Sequence, residues 1–250
     1  MSRFWHRWET DTRAPSGREW RRDVLRRALL PTAVLWCLVV GIGFLLTGLL
    51  HGLPAEAAVN RWFVEARTPA LDTATTWLSA IGQTEPLIGA CLVGIALTWW
   101  RTRQWWYATV LGLAVALQAA VFLSAAAVVG RERPDVEHLD HAPPTSSFPS
   151  GHTGAAAAFY LTLALVAQRI RRPALRWTVT VLCVLVPFAV GTARVYRGMH
   201  SVSDVTVGFL NGATCAVIAW GYLRRSKRTP EEVTDAPGPG SSVPSPAPAR

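Results

Sequence analysis

The chain is poor in charge. Charged residues fill 16% of its 250 positions, against roughly 25% in an ordinary soluble domain, while hydrophobic residues reach 50%. That balance excludes a disordered chain and argues against a soluble globule. Acidic residues are scarcer than basic ones, 16 against 25, for a net charge of +9. A nucleic-acid binder would cluster such charge on a polar surface that this composition does not offer, so no nucleic-acid partner is expected. The charge has to be explained by a membrane. Cysteine is sparse as well: Cys37, Cys91, Cys183 and Cys215 show no C-x-x-C spacing, and they read as small core residues and not as a disulfide framework. There is no alternating β pattern and no internal repeat.

What is present is a series of apolar runs of helical length, near the ~20 residues that cross a hydrocarbon core. They fall at about 28–50, 86–100 (reaching back to about 78), 106–129, 153–168, 175–193 and 203–222. The expected fold is all-α, an integral membrane bundle of six transmembrane helices over 28–223. A basic cytoplasmic arm precedes it at 1–27 and a disordered cytoplasmic tail follows at 224–250. Six crossings place both termini on one side, and the basic residues then divide nineteen to six between the two sides. By the positive-inside rule the nineteen are cytoplasmic. Several of the 12 Trp, such as Trp99, Trp100, Trp105 and Trp106, fall at the predicted span ends, where an amphipathic ring prefers to sit.

Arg21-Arg22 before the first run and Ala55-Glu56-Ala57 after it faintly mimic an export signal with a cleavage site. The run is longer than the apolar region of such a signal, so a retained first helix is expected. In the tail, residues 229–250 carry six of the 17 prolines and almost no large apolar residue. Between the first two runs, Val59, Trp62, Phe63 and Ala66 repeat at helical spacing, as do Leu71, Ala74, Leu78 and Ile81 after Pro69. They suggest two short helices lying on the outer membrane face, or else an ordinary connecting loop.

Two outer connections, 130–152 and 194–204, gather the polar residues that the rest of the chain avoids. They hold Arg131, Arg133, Arg194 and Arg197 with His138, His141, His152 and His200. Arginine is disfavoured on this side, so four of them need a local reason, and a bound anion is the obvious one. At Pro149-Ser150-Gly151-His152 a loop becomes a helix. Its unpaired N–H groups, the close approach that Gly151 allows and the Ser150 hydroxyl suit a phosphate, with His152 placed to donate a proton. A plain N-cap reads equally well. In the second connection His200 precedes Asp204 by four residues, a spacing that lets the carboxylate accept the Nδ1–H and leave Nε2 as a nucleophile. Asp204 as a mere N-terminal helix charge is the competing reading. Glu137, His138, Asp140 and His141 form an EHLDH cluster that reads better as a solvated acidic loop than as a metal site.

Gly-Arg-Glu-Arg-Pro at 130–134, Pro-Ser-Gly-His at 149–152 and Arg194-x5-His200-x3-Asp204 together resemble the three signature motifs of the type-2 phosphatidic acid phosphatases. These are membrane lipid phosphatases related to vanadium haloperoxidases, and the resemblance spans about residues 77–222. It implies that His200 attacks phosphorus to form a phosphohistidine, that Asp204 orients His200 and that His152 protonates the leaving oxygen. Arg133, Arg194, Ser150 and Gly151 would hold the phosphoryl oxygens, with neither metal nor cofactor. Two positions depart from the family pattern: Ala126 stands where the family has a Lys, and Ala193 precedes Arg194 where Ser is usual. Arg131 is the residue expected to replace the missing Lys.

The implied activity is metal-independent dephosphorylation of a lipid phosphate or diphosphate at the outer face of a plasma membrane. Phosphatidate, phosphatidylglycerol phosphate and a polyprenyl diphosphate all fit, and the oligomeric state is left open. A phosphotransferase using the same phosphohistidine and a non-catalytic lipid-phosphate binder are the alternatives. A haloperoxidase ranks below both, those relatives being typically soluble.

Overall fold

The computed structural model describes residues 2–10, 12–50, 53–142 and 145–224. Among them every regular element is helical and there is no strand. Helix α1 (Gly17–Leu49) starts on a capping box in which Ser16 Oγ accepts the Glu19 N–H and a Glu19 carboxylate oxygen accepts the Ser16 N–H. Two short helices follow, α2 (Pro54–Glu65) and α3 (Pro69–Ile81), each opened by a proline that needs no acceptor in the first turn. Then come α4 (Thr84–Thr102), α5 (Trp105–Val129), α6 (Gly151–Ala167), α7 (Pro173–Tyr196) and α8 (Val202–Trp220).

Helices α1, α5, α7 and α8 are each long and apolar enough to cross a membrane, and α3 with α4, meeting at 48°, make a fifth candidate. Helix α6 is apolar but has only 17 residues, about 25 Å at the helical rise. The count of six is therefore approximate. Its Ala-rich sequence follows from where it sits: α6 is the central helix, packed chiefly on α7 and α8, with Ala156, Ala157 and Ala158 wholly buried. A helix that meets protein on most sides needs small size more than oiliness. At the α6–α8 crossing Gly154 faces Gly212, and a Cβ on Gly212 would run into the Gly154 carbonyl. The peripheral helices show the opposite character. Leu30, Val34, Leu38 and Ile42 on α1, Leu92 and Leu97 on α4, and Leu182, Leu185 and Phe188 on α7 are exposed, an apolar belt suited to hydrocarbon.

The two ends of the bundle differ. At one, Trp8 is 1% exposed and packs on Tyr107, Trp220 and Tyr222, while Arg7 donates to the carbonyls of Trp220 and Leu223. At the other end the 130–150 segment turns back into the bundle. Phe148, fully buried among Val39, Val40, Leu46, Val121, Ala125 and Val129, anchors it. That anchor starts α6 well below the end of α5. The region expected as two short helices is α2 and α3; of the stripe read as apolar, Val59, Trp62, Leu71 and Ala74 are exposed, while Phe63, Ala66, Leu78 and Ile81 are half-buried. Glu56 and Asn60 on α2 and Thr75 and Ser79 on α3, about a quarter turn round from that stripe, are buried against the protein. The tail expected over 224–250 lies, from residue 225 onward, outside the described residues.

Candidate active site

A cavity of about 700 Å³ opens between α4, α5, α6 and the connections that follow α5 and α7. One wall is apolar, made by Leu87, Ile88, Val115, Ala119, Phe122 and Leu123. The other carries Arg133, Asp140, Ser146, His152, Arg194 and His200. Histidine and arginine from around the starts and ends of three different helices thus converge at one end of a greasy slot.

His200 sits in the turn between α7 and α8, where Gly198 adopts a φ of +75°, a conformation that favours glycine. The imidazole is 4% exposed, and its Nδ1 lies 2.7 Å from the Ser147 carbonyl oxygen. A carbonyl only accepts, so Nδ1 must carry the proton and the Nε2 lone pair is left available. This corrects the expected role of Asp204. Its Oδ2 is 3.8 Å from Nδ1, beyond hydrogen-bond reach, and instead accepts the Ser201 N–H at 2.8 Å. Asp204 acts on His200 as a buried negative charge and as the cap of its turn, while Ser147 fixes the tautomer. Burial pushes the His200 pKa down from its ordinary value; the Asp204 carboxylate opposes that, and Arg194 and Arg133 add to it. Neutral imidazole is the favoured form.

The four arginines separate into two kinds. Arg133 donates through Nη1 to the Met199 carbonyl at 2.8 Å, and Arg194 through Nη1 to Ser79 Oγ at 2.8 Å and Asp140 Oδ2 at 2.7 Å. Both line the cavity, and the Nε–H of each is buried without a partner. Arg131 does not line it. Its guanidinium donates to Asp204 Oδ1 at 2.6 Å, Ser203 Oγ at 2.7 Å and Glu56 Oε2 at 2.9 Å. The expectation that Arg131 binds phosphate and replaces the missing Lys is overturned, because its donors are committed to two buried carboxylates. Arg197 is likewise committed, to Asp140 and to Asp72, Thr75 and Thr76 on α3.

His152 and Gly151 stand at the first turn of α6 and line the cavity; the opening N–H groups of a helix have no intrahelical acceptor. Among the described residues nothing hydrogen-bonds to the His152 ring. Ser150 is placed differently from the expectation. It is fully buried, its Oγ lies 3.0 Å from Thr153 Oγ1, and it does not line the cavity, so the hydroxyl is turned away from any phosphate there. The acidic cluster also needs correcting. Asp140 is half-buried between Arg194 and Arg197; burial raises its pKa, but the two guanidinium groups outweigh that and hold it below the ordinary carboxylate value. Glu137 pairs with Arg67 and His138 with the Pro134 carbonyl. No group of three or more metal-ligating side chains occurs among the described residues.

Several functional neighbours escaped the sequence reading. Glu56, Asn60 and Ser79 lie on α2 and α3, and Asn60 Nδ2 donates to the His200 carbonyl at 3.1 Å. Glu56/Asn60 and Thr75/Ser79 are both i, i+4 pairs, a polar stripe flanking the apolar one that drew attention. Ser147 carries its role on its backbone carbonyl, which no side-chain pattern reveals.

A membrane helical bundle whose apolar cavity ends in histidines and arginines has the features expected of a membrane lipid phosphatase. The profile of the PAP2 superfamily matches residues 106–228, and the chain belongs to that superfamily. It is 28% identical over 179 residues to phosphatidylglycerophosphatase B of Bacillus subtilis strain 168, covering 70% of this chain and 86% of that protein. Its fold is similar to the crystal structure of a transmembrane PAP2-type phosphatidylglycerolphosphate phosphatase from Bacillus subtilis. That match has a TM-score of 0.65 and 23% identity, over 77% of this chain and 94% of the other. It is also similar to LpxE of Aquifex aeolicus, with a TM-score of 0.52 and 27% identity, over 65% of this chain and 92% of that one. The protein is an integral membrane lipid phosphatase.

Proposed function

We propose that the protein removes the terminal phosphate from a phosphorylated or pyrophosphorylated membrane lipid through a phosphohistidine at His200. The observation that carries this reading is the pair of buried, unpartnered Nε–H donors on Arg133 and Arg194, set beside His152 and His200 at the polar end of an otherwise apolar cavity. Unpaired buried donors are costly, and a phosphoryl group satisfies them. His200 Nε2 attacks phosphorus as the bond to the lipid oxygen breaks, and His152 gives that oxygen its proton. His152, now a base, takes a proton from the water that cleaves the P–N bond, and inorganic phosphate leaves. Arg133, Arg194 and the α6 N-terminus stabilise the charge spread over the equatorial oxygens. No step requires a metal.

The reading is supported by the Bacillus subtilis relative named phosphatidylglycerophosphatase B, so phosphatidylglycerol phosphate is the first substrate to test. Purified protein should release phosphate from it in the presence of a chelator and trap an acid-labile phosphoenzyme from labelled substrate. His200→Ala should do neither. His152→Ala should form the phosphoenzyme slowly, most of all with poor leaving groups. A wild-type rate in His200→Ala would sink the mechanism.

The active site is proposed to face the extracytoplasmic side of the plasma membrane, with the arm and tail cytoplasmic, on the nineteen-to-six division of basic residues. On a background lacking the four native cysteines, a cysteine at Asp135 should react with an impermeant thiol reagent in intact cells and one at Arg172 should not. The reverse labelling would place the site in the cytoplasm.

A further inference from the structure

Gln118 lies in the middle of α5 and is 2% exposed, yet its side chain lines the cavity that holds His152 and His200. Its Nε2 is buried without a hydrogen-bond partner. The wall around it is apolar, from Leu87 on α4 and Val115, Ala119 and Phe122 on α5. A leucine or methionine would fill such a place without stranding a polar group. Asn211 Nδ2 donates to the backbone carbonyl of Gln118 at 3.4 Å, and the missing side chain of Gly154 makes room for the amide, since a Cβ there would stand 2.5 Å from Nε2.

Gly154 is two residues beyond His152 on α6, roughly 3 Å along the helix axis. The amide therefore stands within about one helical turn of the proposed phosphoryl position, on the apolar side of it. The part of a bound lipid that reaches this depth is the linkage just below the phosphate. In a glycerophosphate lipid that part is the acyl ester, whose carbonyl is a neutral acceptor. In a polyprenyl diphosphate it is the second phosphoryl group followed by hydrocarbon. A second phosphoryl calls for another cation, and the cavity's arginines, Arg133 and Arg194, are both at the catalytic end, with no lysine among the lining residues.

We infer that Gln118 is a specificity-determining residue that donates its amide N–H to an ester carbonyl of the substrate, selecting an acylated glycerophosphate lipid. This rests on the phosphatase reading above. A single neutral hydrogen bond predicts a preference of roughly fivefold to tenfold. The test compares kcat/KM for a diester phosphatidate and its dialkyl ether analogue, which keeps the phosphate, glycerol and chains but lacks the carbonyls. Wild type should prefer the ester by that factor, and in Gln118→Leu and Gln118→Met the ratio should fall toward one. Equal rates on ester and ether in the wild type, which needs no variant to fold, would overturn the inference. So would a preference that survives both substitutions. Release of phosphate from neither lipid by the wild type would instead remove the phosphatase reading, and this inference with it.

Discussion

Two regions at the site end of the bundle are both built on arginine and behave oppositely. At the cavity floor, Arg133 and Arg194 each keep one buried N–H without a partner. Behind it, Arg131 is bonded to Glu56, Ser203 and Asp204, with 10% of its side chain exposed. Count of charge does not distinguish these arginines; what each still has to offer does. The floor is net cationic, because one carboxylate, Asp140, is shared between Arg194 and Arg197. The network behind is net anionic, two carboxylates on one guanidinium, and its surplus charge lies 3.8 Å from His200. A cationic floor suits the incoming phosphoryl, and an anionic backing stabilises the positive charge His200 develops as it attacks.

Removing one member of each region should separate the two roles. Arg131→Ala leaves Glu56 and Asp204 buried and repelling each other, with an expected loss of about 3–5 kcal/mol in stability, read as a lowered Tm and poor recovery from detergent. Arg133→Ala loses its bonds to the Met199 and Thr145 carbonyls, about 1–2 kcal/mol of stability, but should cost roughly a hundred- to a thousandfold in kcat/KM, the usual loss for a transition-state donor. Arg133→Lys should restore little, since an ammonium lacks the fixed fork that contacts Met199 and a phosphoryl together. If Arg131→Ala kept its stability and lost only turnover, the division between floor and backing would be wrong.

That division was not legible in the sequence, for a specific reason. Spacing placed His152, His200, Arg133 and Arg194 in or beside two polar connections, and the structure brings all four to one cavity. It could not show where a guanidinium points. Arg131 is two residues from Arg133 and differs from it only because Glu56, on a helix 75 positions earlier, meets it. The interval between His200 and Asp204 suggested a direct bond, but a fixed offset does not fix a side-chain vector, and the Ser147 carbonyl takes the Nδ1 proton. The membrane bundle itself was readable because lipid imposes long apolar runs. The exception is α6, whose central place substitutes packing for hydrophobicity.

The floor's positive field and the burial of His200 also set the pH behaviour. Catalysis needs the neutral imidazole, and a group whose pKa is lowered stays neutral to lower pH. After allowance for the substrate's own second ionisation, the acid limb of kcat/KM should therefore fall below the ordinary histidine value of about 6.5. Weakening the field through Arg194→Gln should move that limb back up. A limb at or above the ordinary value in the wild type would mean that the anionic backing wins over burial.

The smallest expected effect tests whether anything replaces the lysine absent at position 126. Ala126 lies in the last turn of α5, where its carbonyl accepts the Gly130 N–H, and Phe122, one turn earlier on the same face, lines the cavity. Side chains on a helix lean toward its N-terminus, so a lysine at 126 would reach back over that turn toward the phosphoryl position. Ala126→Lys should accordingly raise kcat/KM by up to about tenfold, one charge-assisted contact in the transition state. Had Arg131 taken over the task, its removal would matter less once the lysine was present. With Arg131 bound to Glu56 and Asp204, the two groups share no partner, and their effects on kcat/KM should add within about 0.5 kcal/mol. A double variant in which the lysine cancels the Arg131→Ala defect would return Arg131 to the floor and erase the distinction between the two regions.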